Sequence, residues 1–203
     1  MMITFSRLRP SDFGKVIGFA IEGMNFADFR LGKIGTAVYG RYAFYLELER
    51  ATEIIAAYDG DRLLGVLMAV INDQMPCLPS FWRRSCLAAT ERLFFTESGR
   101  NNDIYQQAND AMLSSYHVSE RADGEINFLA VDPQLKKQGI GSLLLQELSR
   151  RQSGKRFYLF TDSKCNWQFY EHRGFSRRNL KAIKMHIKDH IVPLTCFLYA
   201  KTL

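Results

Sequence analysis

Hydrophobic and polar positions recur along the chain with two periods, and the order of those periods predicts the elements. Residues 3–8 alternate apolar and polar side chains, as a half-buried strand does. Phe13, Val16, Ile17, Ala20, Ile21 and Met24 recur at intervals of three and four, which predicts a helix with one apolar face. Residues 25–40 are rich in glycine and read as a loop carrying a short helical turn, and a second helix is predicted over 39–50. Two apolar runs, 53–58 and 63–71, flank Asp59-Gly60-Asp61, a turn sequence that favours a hairpin. Pro76 and Pro79 end the second run. Helical spacing then returns twice, in Trp82, Cys86, Ala89 and Leu93 over 80–95, and in Ile104, Ala108, Ala111 and Met112 over 101–116. After residue 123 the chain reads as a strand (126–131), a helix (142–151), a strand (155–161) and a short helix from about 163 to Gly174. Two alternating segments, 180–188 and 194–201, are predicted to pair antiparallel, with Pro193 in their connection.

Residues 126–151 carry the first chemical signal. The predicted strand is broken by Asp132-Pro133, a basic glycine turn follows at Lys136-Lys137-Gln138-Gly139-Ile140-Gly141, and a helix begins beside Ser142. A strand, a glycine turn and a helix start form an anion cradle, because the N–H groups of a first helical turn are unpaired and the helix dipole is positive there. Two familiar phosphate loops do not fit. No lysine stands before Ser142 as a Walker A loop requires, and Leu144 occupies the third glycine position of a dinucleotide fingerprint.

What fits is Val131-x-Pro133-x-x-Lys136-x-x-Gly139-Ile140-Gly141-x-x-Leu144, which resembles motif A of the GNAT superfamily of acetyl-CoA-dependent N-acetyltransferases, with Lys136 where that motif has arginine or glutamine. A second stretch, Phe169-Tyr170-x-x-x-Gly174-Phe175, resembles the end of the family's motif B. Asn166 precedes Tyr170 by four residues, closer than the motif B asparagine of many members. The order of predicted elements agrees with the family along the whole chain. The resemblance implies an α/β (α+β) single domain over 1–203: a mixed central sheet of about seven strands with flanking helices, and a two-helix insertion (72–123) between strands three and four.

The same resemblance implies the ligand and the chemistry. Acetyl-CoA would lay its pantetheine arm along strand four at Leu129, Ala130 and Val131. Its pyrophosphate would sit on Gln138, Gly139, Ile140, Gly141 and Ser142, with Lys136 and Lys137 as countercharge and Asn166 and Tyr170 beside it. The reaction implied is direct attack of a primary amine on the thioester in a ternary complex. An alkylammonium has a pKa of about 10.4, so a base must take its proton; Glu125, at the start of strand four, is the candidate. On strand periodicity Glu125, Asn127, Leu129 and Val131 would share a face. Tyr170 is the candidate acid for the departing thiolate, and a backbone N–H near Leu129 the candidate oxyanion donor. A non-catalytic acyl-CoA-binding or regulatory module would use the same cradle without Glu125 or Tyr170.

Composition narrows the partners. A net charge of +6 suits a polyphosphate ligand. The basic stretch 173–188 is the nearest approach to a nucleic-acid surface, an alternative that steeply salt-dependent binding would support. It reads better as a solvated strand face that also attracts a polyphosphate cofactor, so no nucleic-acid partner is expected. The longest apolar run, 63–71, is short of a membrane span. Residues 1–7 lack the basic start and apolar middle of a secretion signal, so a soluble cytoplasmic protein with no membrane partner is expected. Cys77, Cys86, Cys165 and Cys196 form no close pair and are expected to be reduced and mostly buried, with no metal site; His186 and His190 fall on a strand and its turn. The acceptor is read as a small-molecule amine or a peptide, with Glu22, Glu47, Glu49 and Glu53 available to line an acidic pocket. The insertion is open to three roles: pocket wall, homodimer contact or sheet cover.

Overall fold

The computed structural model describes residues 2–23, 32–94, 99–187 and 190–203. Strand β1 (Ile3–Ser6) leads through a 3-10 turn to helices α1 (Phe13–Gly23) and α2 (Gly32–Arg50). The hairpin β2 (Glu53–Asp59) and β3 (Arg62–Ile71) follows, then helices α3 (Phe81–Phe94) and α4 (Gly99–Ser119). Strand β4 (Gly124–Val131), helix α5 (Ile140–Arg151), strand β5 (Arg156–Asp162), the one-turn helix α6 (Gln168–Glu171) and the hairpin β6 (Ser176–Ile187) and β7 (His190–Thr202) complete the chain. The strands form one seven-stranded sheet in the order β1-β2-β3-β4-β5-β7-β6, and all pairs are antiparallel except β4–β5.

One face of the sheet is covered by α5, whose Leu144, Leu145 and Leu148 pack on Ile55, Leu67, Ile126, Phe157 and Tyr199. The opposite face holds two separate clusters. Phe44 and Leu48 of α2 and Val16 and Ala20 of α1 cover Tyr58, Val66, Met68, Phe128 and Ala130. Ala108, Met112 and Tyr116 of α4 cover Met185, Leu194, Cys196 and Leu198. The inserted helices sit between β3 and β4 in the chain, and α4 supplies core to the far half of the sheet.

Several local expectations change. Helix α2 begins at Gly32, inside the stretch read as a loop; residues 25–31 of that stretch lie outside the described residues. Gly40 is buried in α2 because a Cβ there would lie 2.5 Å from Ile21 Cγ1, so this glycine permits a close helix crossing rather than a loop. Pro193 lies within β7, opposite Lys184 of β6, rather than in the connection. The β5–β7 ladder stops at Asp162 and Cys196, so at Pro193 the second side of β7 has no ladder for a proline to break. The helix expected from 163 to 174 contracts to α6. Asp162 captures the chain first, its Oδ1 accepting the Lys164 N–H at 2.8 Å, a local bond that competes with helix formation. Cys77 and Cys86 are exposed, against the expectation of burial.

Candidate functional site

The parallel pair β4–β5 is joined at only two positions, Gly124 with Phe157 and Glu125 with Tyr158, and then opens into a V. From residue 126 to Val131, β4 pairs with β3 on one side and, among the described residues, with no strand on the other. Buried backbone N–H and C=O groups require partners, so this edge offers backbone donors and acceptors that an extended polar chain could pair with. Leu129, Ala130 and Val131 lie along it.

The pairing of β3 with β4 also slips by one residue. Met68 faces Phe128 and Ala69 faces Ile126, which leaves Asn127 as a β-bulge. The extra residue reverses the alternation. Leu129 and Val131 pack with Ile126 on the α5 face, whereas Asn127, like Glu125, turns toward α2. The shared face expected for Glu125, Asn127, Leu129 and Val131 is therefore split between the two sides of the sheet.

Beyond β4 the chain forms the cradle. Asp132 accepts the Gln134 N–H at 3.0 Å and pairs with Arg62 at 2.8 Å, fixing the turn through Pro133–Leu135. Lys137 (φ 67°) and Gly139 (φ 84°) are both left-handed, and Gly139 is the N-cap of α5. The N–H groups of Ile140, Gly141 and Ser142 open the helix without helical partners. Lys136, Lys137 and Gln138 are exposed around it. A Cβ on Gly141 would lie 3.0 Å from Phe169 Cζ, so glycine here lets α6 close against α5.

That closure brings in Arg173, which sequence reasoning had not assigned. Its Nε donates to Ser142 Oγ at 2.8 Å, with a second bond from Nη2, and its guanidinium lies 3.9 Å over the Phe169 ring. A fixed cation at a helix N-terminus adds to the positive end of the dipole, an arrangement relieved by an anion. The available signal was its place four residues after Phe169 in the second motif, one helical turn away.

Tyr170 is packed edge-on against Phe169 (5.1 Å) and Phe175 (5.8 Å), and burial raises its phenol above the ordinary value, so it stays protonated at neutral pH. Asn166 lies just ahead of α6 and off the helix, its carbonyl accepting the Phe169 N–H at 3.2 Å. Cys165, beside it, is pushed up to about 12 by burial and Asp162, which suppresses its thiolate.

Glu125 is at the closed end of the V. It accepts from Arg50 Nη2 at 2.6 Å and from Tyr158 OH at 3.4 Å. Glu47, one turn earlier on α2, completes the group: its Oε2 accepts from Arg50 Nη1 at 3.1 Å and from Asn127 Nδ2 at 2.7 Å. Burial, opposed by Arg50 and reinforced by Glu125, raises the Glu47 carboxyl to about 7. Of the other acidic residues expected in a pocket, Glu49 is taken by Arg83 (2.6 Å) and Arg84 (3.1 Å), Glu53 by Arg151 (2.7 Å), and Glu22 is exposed on α1. Among the described residues no group of three or more His, Cys, Asp or Glu is placed to hold a metal ion, and no helix is long and apolar enough to cross a membrane.

Comparison with known proteins agrees with this geometry. Residues 101–177 match the acetyltransferase (GNAT) domain model, a span that contains both motifs. No curated protein matches the chain at a significant level. Solved structures do. A protein described as a GNAT-family acetyltransferase from Desulfovibrio desulfuricans is 16% identical over 99% of each chain, with a TM-score of 0.54. The PaiA N-acetyltransferase of Thermoplasma acidophilum, solved with coenzyme A, is 13% identical over 100% of each chain (TM-score 0.53). An agmatine N-acetyltransferase variant is 12% identical, covering 98% of this chain and 99% of its own (TM-score 0.57). At these identities the structures testify to the fold alone, a fold shared with acetyltransferases, and the acetyltransferase (GNAT) domain match covers residues 101–177, where both motifs lie.

Proposed function

We propose that the protein transfers an acetyl group from acetyl-CoA to a primary amine, by direct attack within a ternary complex. The observation that carries this reading is the V between β4 and β5, with an unpaired strand edge on one arm and the α5 cradle at its open end.

The groups present fit the cosubstrate. The β4 edge at Leu129, Ala130 and Val131 would pair with the amides of the pantetheine arm, replacing the absent strand partner. The N–H groups of Gly139, Ile140, Gly141 and Ser142, with Gln138 alongside, would hold the pyrophosphate, with Lys136, Lys137 and Arg173 supplying charge. Asn166, just ahead of α6, would contact the cosubstrate beside the cradle. Acetyl-CoA, when bound, supplies an activated acyl group with a thiolate leaving group.

The chain's own residues then have two tasks. Tyr170, kept neutral by its buried setting, would give a proton to the departing sulfur. A carboxylate at the closed end of the V, where Glu125 and Glu47 share Arg50, takes the proton from the amine. The acceptor is read as a small amine or a peptide amine; the agmatine enzyme of the same fold acts on the former. Release of free thiol from acetyl-CoA on adding amines, together with saturable acetyl-CoA binding, tests the reading. Saturable binding with no thiol release across a broad amine panel would instead make the protein a binding module.

A further inference from the structure

The cluster at the apex of the V holds two carboxylates and one guanidinium, and their contacts differ. Glu125 takes the shorter bond from Arg50, 2.6 Å against 3.1 Å for Glu47, receives Tyr158 as a second donor, and has a side chain only 11% exposed. Glu47 keeps 22% of its side-chain surface exposed. Both of its donors, Arg50 and Asn127, reach the same oxygen, Oε2, which leaves Oε1 to take a proton.

Asn127 adds an independent observation. Its Nδ2 donates both to the Glu47 carbonyl oxygen (3.1 Å) and to Glu47 Oε2 (2.7 Å), so the orientation of the amide is settled by two acceptors. Its Oδ1 is then buried with no hydrogen-bond donor. Buried acceptors of this kind are normally satisfied. Asn127 is also the bulge residue, placed two positions past the last β4–β5 pair, where the two strands begin to part. An orphaned acceptor next to a carboxylate oxygen, at the point where the groove opens, is complementary to an ammonium group with several N–H donors.

We propose that Glu47, rather than Glu125, binds the acceptor ammonium and takes its proton, with Asn127 Oδ1 as the second acceptor and the Arg50–Glu125 ion pair as the positioning element. This rests on the acetyltransferase reading above. Glu47 removes one proton from the ammonium, and the freed nitrogen pair forms the C–N bond to the acetyl carbon. The C–S bond breaks with its electrons on sulfur. The second nitrogen proton balances that thiolate by way of Tyr170, and Glu47 returns its own proton to solvent. The titratable groups around Glu47 are Arg50 and Tyr42 on α2, Glu125 on β4, Tyr158 on β5, and, behind Tyr158, Asp110 and His117 on α4. Burial outweighs Arg50 and holds the Glu47 carboxyl near neutrality, where a base is effective.

The test has two arms. Carboxyl NMR of glutamate-labelled protein, without ligands, should show one signal titrating near 7 that is missing in Glu47→Gln; its absence from the wild type overturns the assignment. Thiol release from acetyl-CoA is then followed with agmatine, spermidine and tyramine. Glu47→Gln should lower kcat about 100-fold or more and lose the acid limb of the kcat–pH profile, while acetyl-CoA affinity is unchanged. Glu47→Asp should fall between, and Glu125→Gln should keep the limb. Release by wild type and Glu47→Gln alike, or loss of the limb in Glu125→Gln alone, would sink Glu47 and spare the acetyltransferase reading. No release by the wild type with these three amines or across the broad panel, peptides included, would sink that reading, and this role with it.

Discussion

Two glutamates, Glu47 on α2 and Glu147 on α5, show how environment sets the sign of a carboxyl's effect on stability. Glu47 is raised from 4.5 to about 7, chiefly by burial, so its neutral form is the one the fold favours. That stability is fully present below the unfolded value and is lost as pH rises through about 7. Glu47→Gln should therefore equal the wild type in denaturant midpoint near pH 4 and exceed it near pH 8. An equal or lower midpoint at pH 8 would show that Arg50 and Asn127 fully compensate the buried charge. Glu147 has the opposite sign. Its hydrogen bonds to Arg150 and Arg151 lower it from 4.5 to about 2, so its contribution is present above the unfolded value and fades as pH falls toward 2. Glu147→Gln should cost about 1 kcal/mol at pH 7 and less at pH 3, measured by denaturant unfolding. At the cradle, Arg173→Gln should weaken acetyl-CoA binding roughly tenfold, the scale of one charge-assisted hydrogen bond. It should also flatten the salt dependence of binding, a change that loss of α6 packing alone would not produce.

The elements were legible in the sequence wherever a repeating pattern ran uninterrupted. The β2–β3 hairpin, α5 and the two inserted helices all follow from apolar periodicity and turn residues. What periodicity could not carry was a single residue out of step. The bulge at Asn127 adds one position to β4, and a shift of one reverses every side chain beyond it. Glu47 was visible only as one acidic residue among four, because its partner Asn127 is 80 positions away in the chain. Glycine misled for a similar reason: in α2, Gly40 is set by Ile21 across a helix crossing, a contact no local window contains. The same logic makes Gly124 the sharpest test of the V. A Cβ there would lie 2.6 Å from Phe157 Cε1 and 2.7 Å from the Val70 carbonyl oxygen, at the first of the two β4–β5 pairs. Gly124→Ala should cost about 1–3 kcal/mol through overpacking. It should also weaken acetyl-CoA binding, since the strands would be forced apart at the apex, whereas Gly60→Ala, in open space at the β2–β3 turn, should leave binding untouched.

Across the whole molecule, the V divides the face opposite α5 into two cores that do not merge, one under α1 and α2 and one under α4. The apex cluster lies at their boundary, with Glu47 and Arg50 arriving from the first and Tyr158 from the second. Helix α4 is therefore part of the core of the far half of the sheet, and not only a lid over it. It is held there by Met112, 1% exposed, and near its end by Glu120, which bridges Arg156 of β5 (2.8 Å) and Arg178 of β6 (3.5 Å). The cradle proposed for phosphate belongs to the other face, where α5 packs on β2, β3 and β4. Loosening α4 should thus reach Tyr158 and Glu125 before it reaches the cradle. Met112→Ala removes a buried side chain and should cost about 2–5 kcal/mol. Below its lowered unfolding temperature, the variant should still bind acetyl-CoA with near wild-type affinity while thiol release in the presence of amine falls. Loss of both in equal proportion would mean that the two faces open together and that the sheet, not α4, sets the geometry of the apex.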